Sequence, residues 1–194
     1  MEELRELGFD LEIEGDFTEY LRIAIDEEAD GTRQMHQKGL INKIIETTKM
    51  TSCNPNYTPA MQEALGSDPE GEEWSNEDWN CASIVGMLLH ASNNARPDIA
   101  FAVSQVARFT SKPKVSHASA IKSIVRYLKG TIDKGLVFTV NDNYDLACWV
   151  DADFAGLFGR EPPNSPESVK SRYAYVIEFR GIPLVWKSQL ILEI

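Results

Sequence analysis

Three runs of apolar residues at helical spacing, each bounded by a helix breaker or cap, constrain this chain more than anything else in it. Ile84, Val85, Leu88 and Leu89 form the first run. Ile99, Ala102, Val103 and Val106 form the second, opened by Pro97. Ile121, Ile124, Val125 and Leu128 form the third, which opens at Ser116 or His117 and closes at Gly130. A 3.6-residue period of this kind buries one stripe of each helix, so residues 75–131 must pack as a small helical bundle. Ser75, with Asp78 three residues on, is a near capping box for the first helix. Gly86 lies inside that helix, costs ~1 kcal/mol against Ala, and marks a close helix crossing. Pro97 suits a first turn, with Asp98 beside it complementing the helix dipole.

The flanks carry a different period. Phe9, Leu11 and Ile13 alternate with polar residues, a turn follows at Glu14-Gly15-Asp16, and Leu21, Ile23 and Ile25 alternate again. A turn at Asp30-Gly31 leads to a polar strand around residues 33–37, so this region is a small antiparallel meander. A helix from Lys38 to Thr48 follows, with Leu40, Ile41, Ile44 and Ile45 on one face. The next stretch holds Pro55, Pro59, Gly66, Pro69 and Gly71, which makes it a loop or linker. Past the bundle the chain is β. Residues 136–140 form a strand, and residues 146–153 form another with Leu146, Cys148 and Val150 on one face. Ala147, Trp149, Asp151 and then Asp153 point the other way. Tyr173 to Phe179 and Ile182 to Trp186 form a hairpin about Arg180-Gly181.

Charge separates the same zones. The formal net charge of the 194 residues is -11, but residues 81–140 carry 8 basic and 2 acidic side chains while residues 1–80 are net -14. Lys122, Arg126 and Lys129 fall at i, i+4 and i+7 on the third helix of the bundle, opposite its apolar stripe, with Arg96 nearby. Such a stripe is either an ordinary solvated face or a grip on a nucleic-acid backbone, each contact adding a little under one unit to the salt slope. Asp151 and Asp153, at i and i+2, invite a metal, but they sit ~7 Å apart and cannot build a two-metal cage alone. Cys53, Cys81 and Cys148 are far apart and odd in number, which points to reduced thiols rather than zinc or disulfides. No apolar run nears ~20 residues and the start is acidic, so an intracellular protein, cytoplasmic or nuclear, is expected, with no membrane partner.

Four segments in order, RPDIAFAVSQVARF from Arg96, SHASAIKSIVRYLKGT from Ser116, VDADFAG from Val150 and PLVWKS from Pro183, resemble the copia-type LTR retrotransposon polyproteins. The resemblance runs from about Gly8 to Glu193 and covers the end of the reverse transcriptase and the start of ribonuclease H. The fold it implies is α+β: a small antiparallel meander plus a helical thumb-like bundle, followed by an incomplete ribonuclease H-like antiparallel sheet. Residues 1–52 would be the end of the polymerase palm and the first thumb helix, and 53–74 a linker. Residues 75–131 would be the helical thumb and connection region, and 132–194 truncated ribonuclease H-like strands.

The resemblance also implies roles. Tyr20-Leu21-Arg22-Ile23 matches a primer-gripping turn, with Arg22 where the family has glycine. Asp151 matches the first metal-binding and catalytic acid of ribonuclease H, and Mg2+ is the cofactor of the parent enzymes. The polymerase's Tyr-x-Asp-Asp turn would lie before Met1 and the next ribonuclease H acid after Ile194. The expectation is therefore a polyprotein fragment that is inactive alone and binds no Mg2+ tightly. It would retain weak backbone affinity for an RNA–DNA hybrid or duplex through Arg96, Lys122, Arg126 and Lys129, with the remainder of the polyprotein as its other partner. Ribonuclease H activity within a longer product, and a domesticated interaction module, are the alternatives. Three strands without covering helices would leave an apolar face and an open edge, so the C-terminal third is expected to be marginal in stability.

Overall fold

Helical periodicity becomes helix almost residue for residue in the computed structural model, which describes residues 19–61, 63–139 and 144–191. Among the described residues four α-helices form: α1 (Lys38–Thr47), α2 (Cys81–Asn94), α3 (Ala100–Ala107) and α4 (Val115–Gly130). One cluster joins them, with Leu40, Ile41, Ile44 and Ile45 of α1 packed among Ile84, Leu88, Val103, Ile121, Ile124 and Leu128. Burying each branched side chain stabilises the fold by roughly 1.5–3 kcal/mol before entropy is counted. Among the described residues no helix is long and apolar enough to cross a membrane.

Two boundaries differ from the sequence expectation. α2 begins at Cys81, not near Ser75, because Trp74 and Trp79 lie with ring centroids 4.8 Å apart and Trp74 Nε1 donates to the Trp79 carbonyl at 3.1 Å. That pairing holds residues 75–79 in a loop. Asn80 is the N-cap, accepting from Ser83 N–H at 2.8 Å, while Ser75 Oγ only accepts from Glu77 N–H. The helix after Pro97 opens as a tight turn over Pro97–Ile99 before α3 begins.

Among the described residues two antiparallel sheets flank the helices. Sheet I has the order β1 (Glu19–Tyr20), β2 (Ile23–Glu27), β3 (Arg33–His36), β4 (Leu136–Phe138). β4 therefore belongs with the N-terminal meander, not with the strands that follow it. Gly135 explains the approach, since a Cβ there would lie 2.2 Å from the Met35 carbonyl oxygen. Leu21, expected in a strand, instead forms the β1–β2 turn with Arg22, at φ 49° and 66°. Arg22 thus holds the left-handed conformation that the matching glycine would adopt freely, at a cost of roughly 1–2 kcal/mol. The alternation at Phe9, Leu11 and Ile13 and the turn after it lie outside the described residues.

Sheet II has the order β5 (Leu146–Ala152), β6 (Arg172–Phe179), β7 (Ile182–Leu190). Its β6–β7 turn is Arg180-Gly181, both at positive φ, as the alternation on either side requires. Trp186 Nε1 donates to the Ser92 carbonyl at 2.7 Å and pins this sheet to α2. The other face of β5 is open, with Leu146 72% and Val150 77% exposed.

Two glycines test the packing in opposite directions. Gly86 does not mark a helix crossing, for a Cβ there would meet nothing within 4 Å. Gly130 does not cap α4 through a left-handed turn, but a Cβ there would lie 2.7 Å from Pro55 Cβ. Gly86→Ala should therefore raise unfolding free energy by up to about 1 kcal/mol. Gly130→Ala should lower it by about 1–3 kcal/mol although it improves helix propensity. Denaturant unfolding of both variants checks the pair.

Candidate nucleic-acid interface and acidic strand

Arg96 follows α2 and is 1% exposed. Its Nε and Nη2 donate to the two Asp98 carboxylate oxygens at 2.9 and 2.7 Å. Nη1 donates to the Thr131 carbonyl at 3.1 Å and Nη2 also to Thr131 Oγ1 at 2.7 Å. Tyr127 Oη donates to Asp98 Oδ2 at 2.8 Å. Burial alone would raise the Asp98 carboxyl, but the hydrogen bond and charge of Arg96, with the Tyr127 hydroxyl, outweigh it and hold the group below the ordinary carboxylate value. Arg96 is therefore an internal tie, and the expectation that it contacts a phosphate backbone is corrected: its donors are enclosed.

The α4 stripe is on one face as expected, yet it is not simply solvated. Lys129 Nζ donates to the carbonyls of Thr51 and Cys53 at 2.6 and 2.7 Å. Arg126 Nε donates to the Asn54 carbonyl at 2.7 Å, and Asn56 N–H returns a bond to the Arg126 carbonyl. Lys122 Nζ lies 5.3 Å from the centre of the Trp74 ring. The connector is bound further along as well, through Trp74 N–H to Pro113 O and Val115 N–H to Glu72 O, both 2.9 Å, and the Lys114–Glu73 ion pair. All three stripe cations stay half-exposed, so each combines a clasp on the connector with some reach into solvent.

Asp151 and Asp153 line the same cleft but differ in their bonding. Asp151 is exposed on β5 opposite Ala174 and lines a cleft of about 300 Å³ with Phe101, Trp186 and Ser188. Asp153 lies just past the strand, where Oδ1 accepts from Arg172 N–H at 2.5 Å and its own N–H donates to Arg172 O. Among the described residues no three His, Cys, Asp or Glu side chains gather in a way that could hold a metal. One free carboxylate is a poor fit to Mg2+, which needs further acids or phosphate oxygens around it. Cys53, Cys81 and Cys148 are unpaired thiols, and burial pushes Cys81 up to about 11, far from nucleophilic use at neutral pH.

Two buried groups escaped sequence reasoning. Arg108 Nη2 donates to Glu161 and Glu167, each at 2.5 Å, and Nη1 to the Leu65 carbonyl at 3.1 Å. That hub ties α3 to the connector and to the loop before β6. His117 accepts from Lys114 N–H at Nδ1, donates from Nε2 to the Gly66 carbonyl, both at 2.9 Å, and stacks on Phe109 with centroids 4.1 Å apart. Burial lowers its proton affinity, and the bond that Nδ1 accepts requires the neutral ring.

The chain is 32% identical over 161 residues to the retrovirus-related Pol polyprotein from transposon TNT 1-94 of Nicotiana tabacum, covering 80% of this chain and 11% of that protein. It is 27% identical over 155 residues to the Pol polyprotein from transposon RE1 of Arabidopsis thaliana, covering 80% and 10%. It is also 34% identical over 107 residues to secreted RxLR effector protein 161 of Plasmopara viticola, covering 55% and 70%. The chain thus spans about a tenth of the length of the two polyproteins. No family profile and no solved structure matches it.

Two outcomes follow from the buried groups. His117 binds its proton less readily folded than unfolded, so the unfolded state takes up more protons below about pH 6.5. Stability should then fall as pH drops through that value, by at most about 1.4 kcal/mol per pH unit, well above the range where Asp98 protonates. His117→Gln should flatten that portion of a pH series of denaturant melts. Lys129→Ala should release residues 51–56, seen as earlier proteolytic cleavage there while the far-ultraviolet spectrum is unchanged.

Proposed function

Because the chain belongs to the copia-type retrotransposon Pol polyproteins, we propose that it is the joint between reverse transcriptase and ribonuclease H, holding an RNA–DNA hybrid by its phosphate backbone without cutting it. In this reading sheet I and α1–α4 are the end of the palm with the thumb and connecting helices. Sheet II is the opening strands of ribonuclease H, and β4 goes with the polymerase side in this reading, which its pairing with β3 supports. The protein works inside the cell, cytoplasmic or nuclear, with the rest of the polyprotein as its partner.

The half-exposed stripe of Lys122, Arg126 and Lys129 carries the proposal. Three cations over about 10 Å of helix suit the sugar–phosphate backbone and offer no pattern for reading bases. The connector, hydrogen-bonded to two of them and stacked under the third through Trp74, competes with that contact, and the acidic flanks oppose it, so affinity should be weak. Arg96 drops out of the contact set for the reason given above.

Hybrid binding by fluorescence anisotropy tests this. The slope of log K against log salt should be about -3 and should shrink by about one unit in Lys122→Ala, the variant that keeps the hydrogen bonds of Arg126 and Lys129 to the connector. Absence of binding at low salt, or an unchanged slope in Lys122→Ala, would refute the contact.

One observation favours a second reading. Asp151 faces a cleft, where it could serve ribonuclease H activity once further acids are supplied from beyond the described residues. For the 194-residue protein we expect no Mg2+-dependent cleavage of a labelled hybrid. Cleavage that disappears in Asp151→Asn would establish the second reading in place of the first.

A further inference from the structure

Every deeply buried guanidinium in the described residues has an acid except one. Arg96 has Asp98, and Arg108 has Glu161 and Glu167. Arg172, at the start of β6, is 7% exposed and forms no ion pair among the described residues. Its Nη1 donates to Ser104 Oγ at 2.8 Å and loosely to Ser188 Oγ at 3.4 Å. Its Nη2 is buried with no hydrogen-bond partner, and the group lies 5.3 Å from the centre of the Phe101 ring. Burial, then the charge of Arg108, lowers its proton affinity, with Asp153 opposing. A guanidinium enclosed this way with no carboxylate in ion-pair contact and one nitrogen unbonded is unfavourable, which leaves room for a compensating group.

A recess opens beside it, about 380 Å³, lined by Ser104, Arg108, Glu167, Lys170, Arg172 and Gln189. Lys170 has no side-chain hydrogen bond or ion pair among the described residues. The one carboxylate in the lining, Glu167, is already held by Arg108. With Arg108 already paired to Glu161 and Glu167, three cations face two acids and leave the recess net positive, and a serine hydroxyl and a glutamine amide add neutral donors. We propose that this recess between α3 and sheet II is a binding site for a tetrahedral oxyanion, a phosphate group, held by Lys170 and Arg172 with Ser104 and Gln189 completing its contacts. The site lies apart from the α4 stripe, and it stands or falls independently of hybrid binding there. Geometry of this kind, charge plus hydroxyl and amide donors, favours phosphate over a metal or an apolar ligand.

The test is thermal melting in sodium phosphate against sodium chloride at matched ionic strength. Phosphate also stabilises proteins by exclusion from their surface, so the quantity read is the difference between wild type and Lys170→Ala. Wild type should show a saturable rise in Tm with phosphate. Lys170→Ala, a half-exposed position that leaves the core intact, should weaken the apparent affinity roughly tenfold. Arg172→Met should abolish the saturable component. Equal melting of wild type in the two salts would overturn the site, as would a folded Lys170→Ala with the wild-type phosphate response. A 5′-phosphorylated oligonucleotide and its unphosphorylated twin separate the sources. A Lys170-dependent preference for the phosphorylated strand assigns the site to a nucleic-acid end, and a response to inorganic phosphate alone assigns it to a free anion.

Discussion

A single enclosed guanidinium ties the elements of this molecule to one another. Arg96 joins the turn after α2 to the end of α4, residues 35 apart, through Asp98 and Thr131. Thr131 lies between α4 and β4, so its position sets where the chain leaves the bundle. From there Gly135 can pass against Met35 and β4 can complete sheet I. An enclosed charge tolerates few alternatives, because losing one partner strands the other in a low-dielectric interior. The apolar clusters supply most of the driving force, while this network chooses the arrangement in which they collapse.

The same logic governs the rest of the positive charge. Arg108 faces inward to Glu161 and Glu167, and Lys129 and Arg126 bind connector carbonyls. Across the surface, acidic residues of the first 80 pair with cations, as in Lys49 with Asp78 and Lys114 with Glu73. Ion pairs of Lys38 with Asp133, Lys114 with Glu73, and Arg108 with Glu161 and Glu167 join the basic middle to its acidic flanks. What reaches solvent is the remainder, which is why backbone affinity should be weak and salt-sensitive.

Residues with a local period are legible in the sequence alone. Leu40, Ile41, Ile44 and Ile45 face the core because their spacing is helical, and Arg180-Gly181 turns because alternation stops on both sides of it. Asp151 is legible as an exposed strand residue by the same alternation. Long-range choices are not. Nothing local tells β4 to pair with β3 rather than with β5. Asn80 rather than Ser75 caps α2 because two tryptophans meet five residues apart, which depends on their packing. Arg96 reads as a surface cation because arginine is seldom enclosed, and only the Asp98 two residues on hints at its pairing. The partners of Lys129 and Arg126 are main-chain carbonyls, which leave no trace in side-chain sequence.

The most direct measurement is a double-mutant cycle of Arg96→Met and Asp98→Asn, followed by equilibrium denaturation. The account predicts that either single change lowers stability by about 3–5 kcal/mol. It also predicts a coupling energy of roughly 1–3 kcal/mol, since the second change harms a pair already broken. Single losses below about 0.5 kcal/mol with no coupling would contradict it, returning Arg96 to the surface and to the set of residues free to meet nucleic acid.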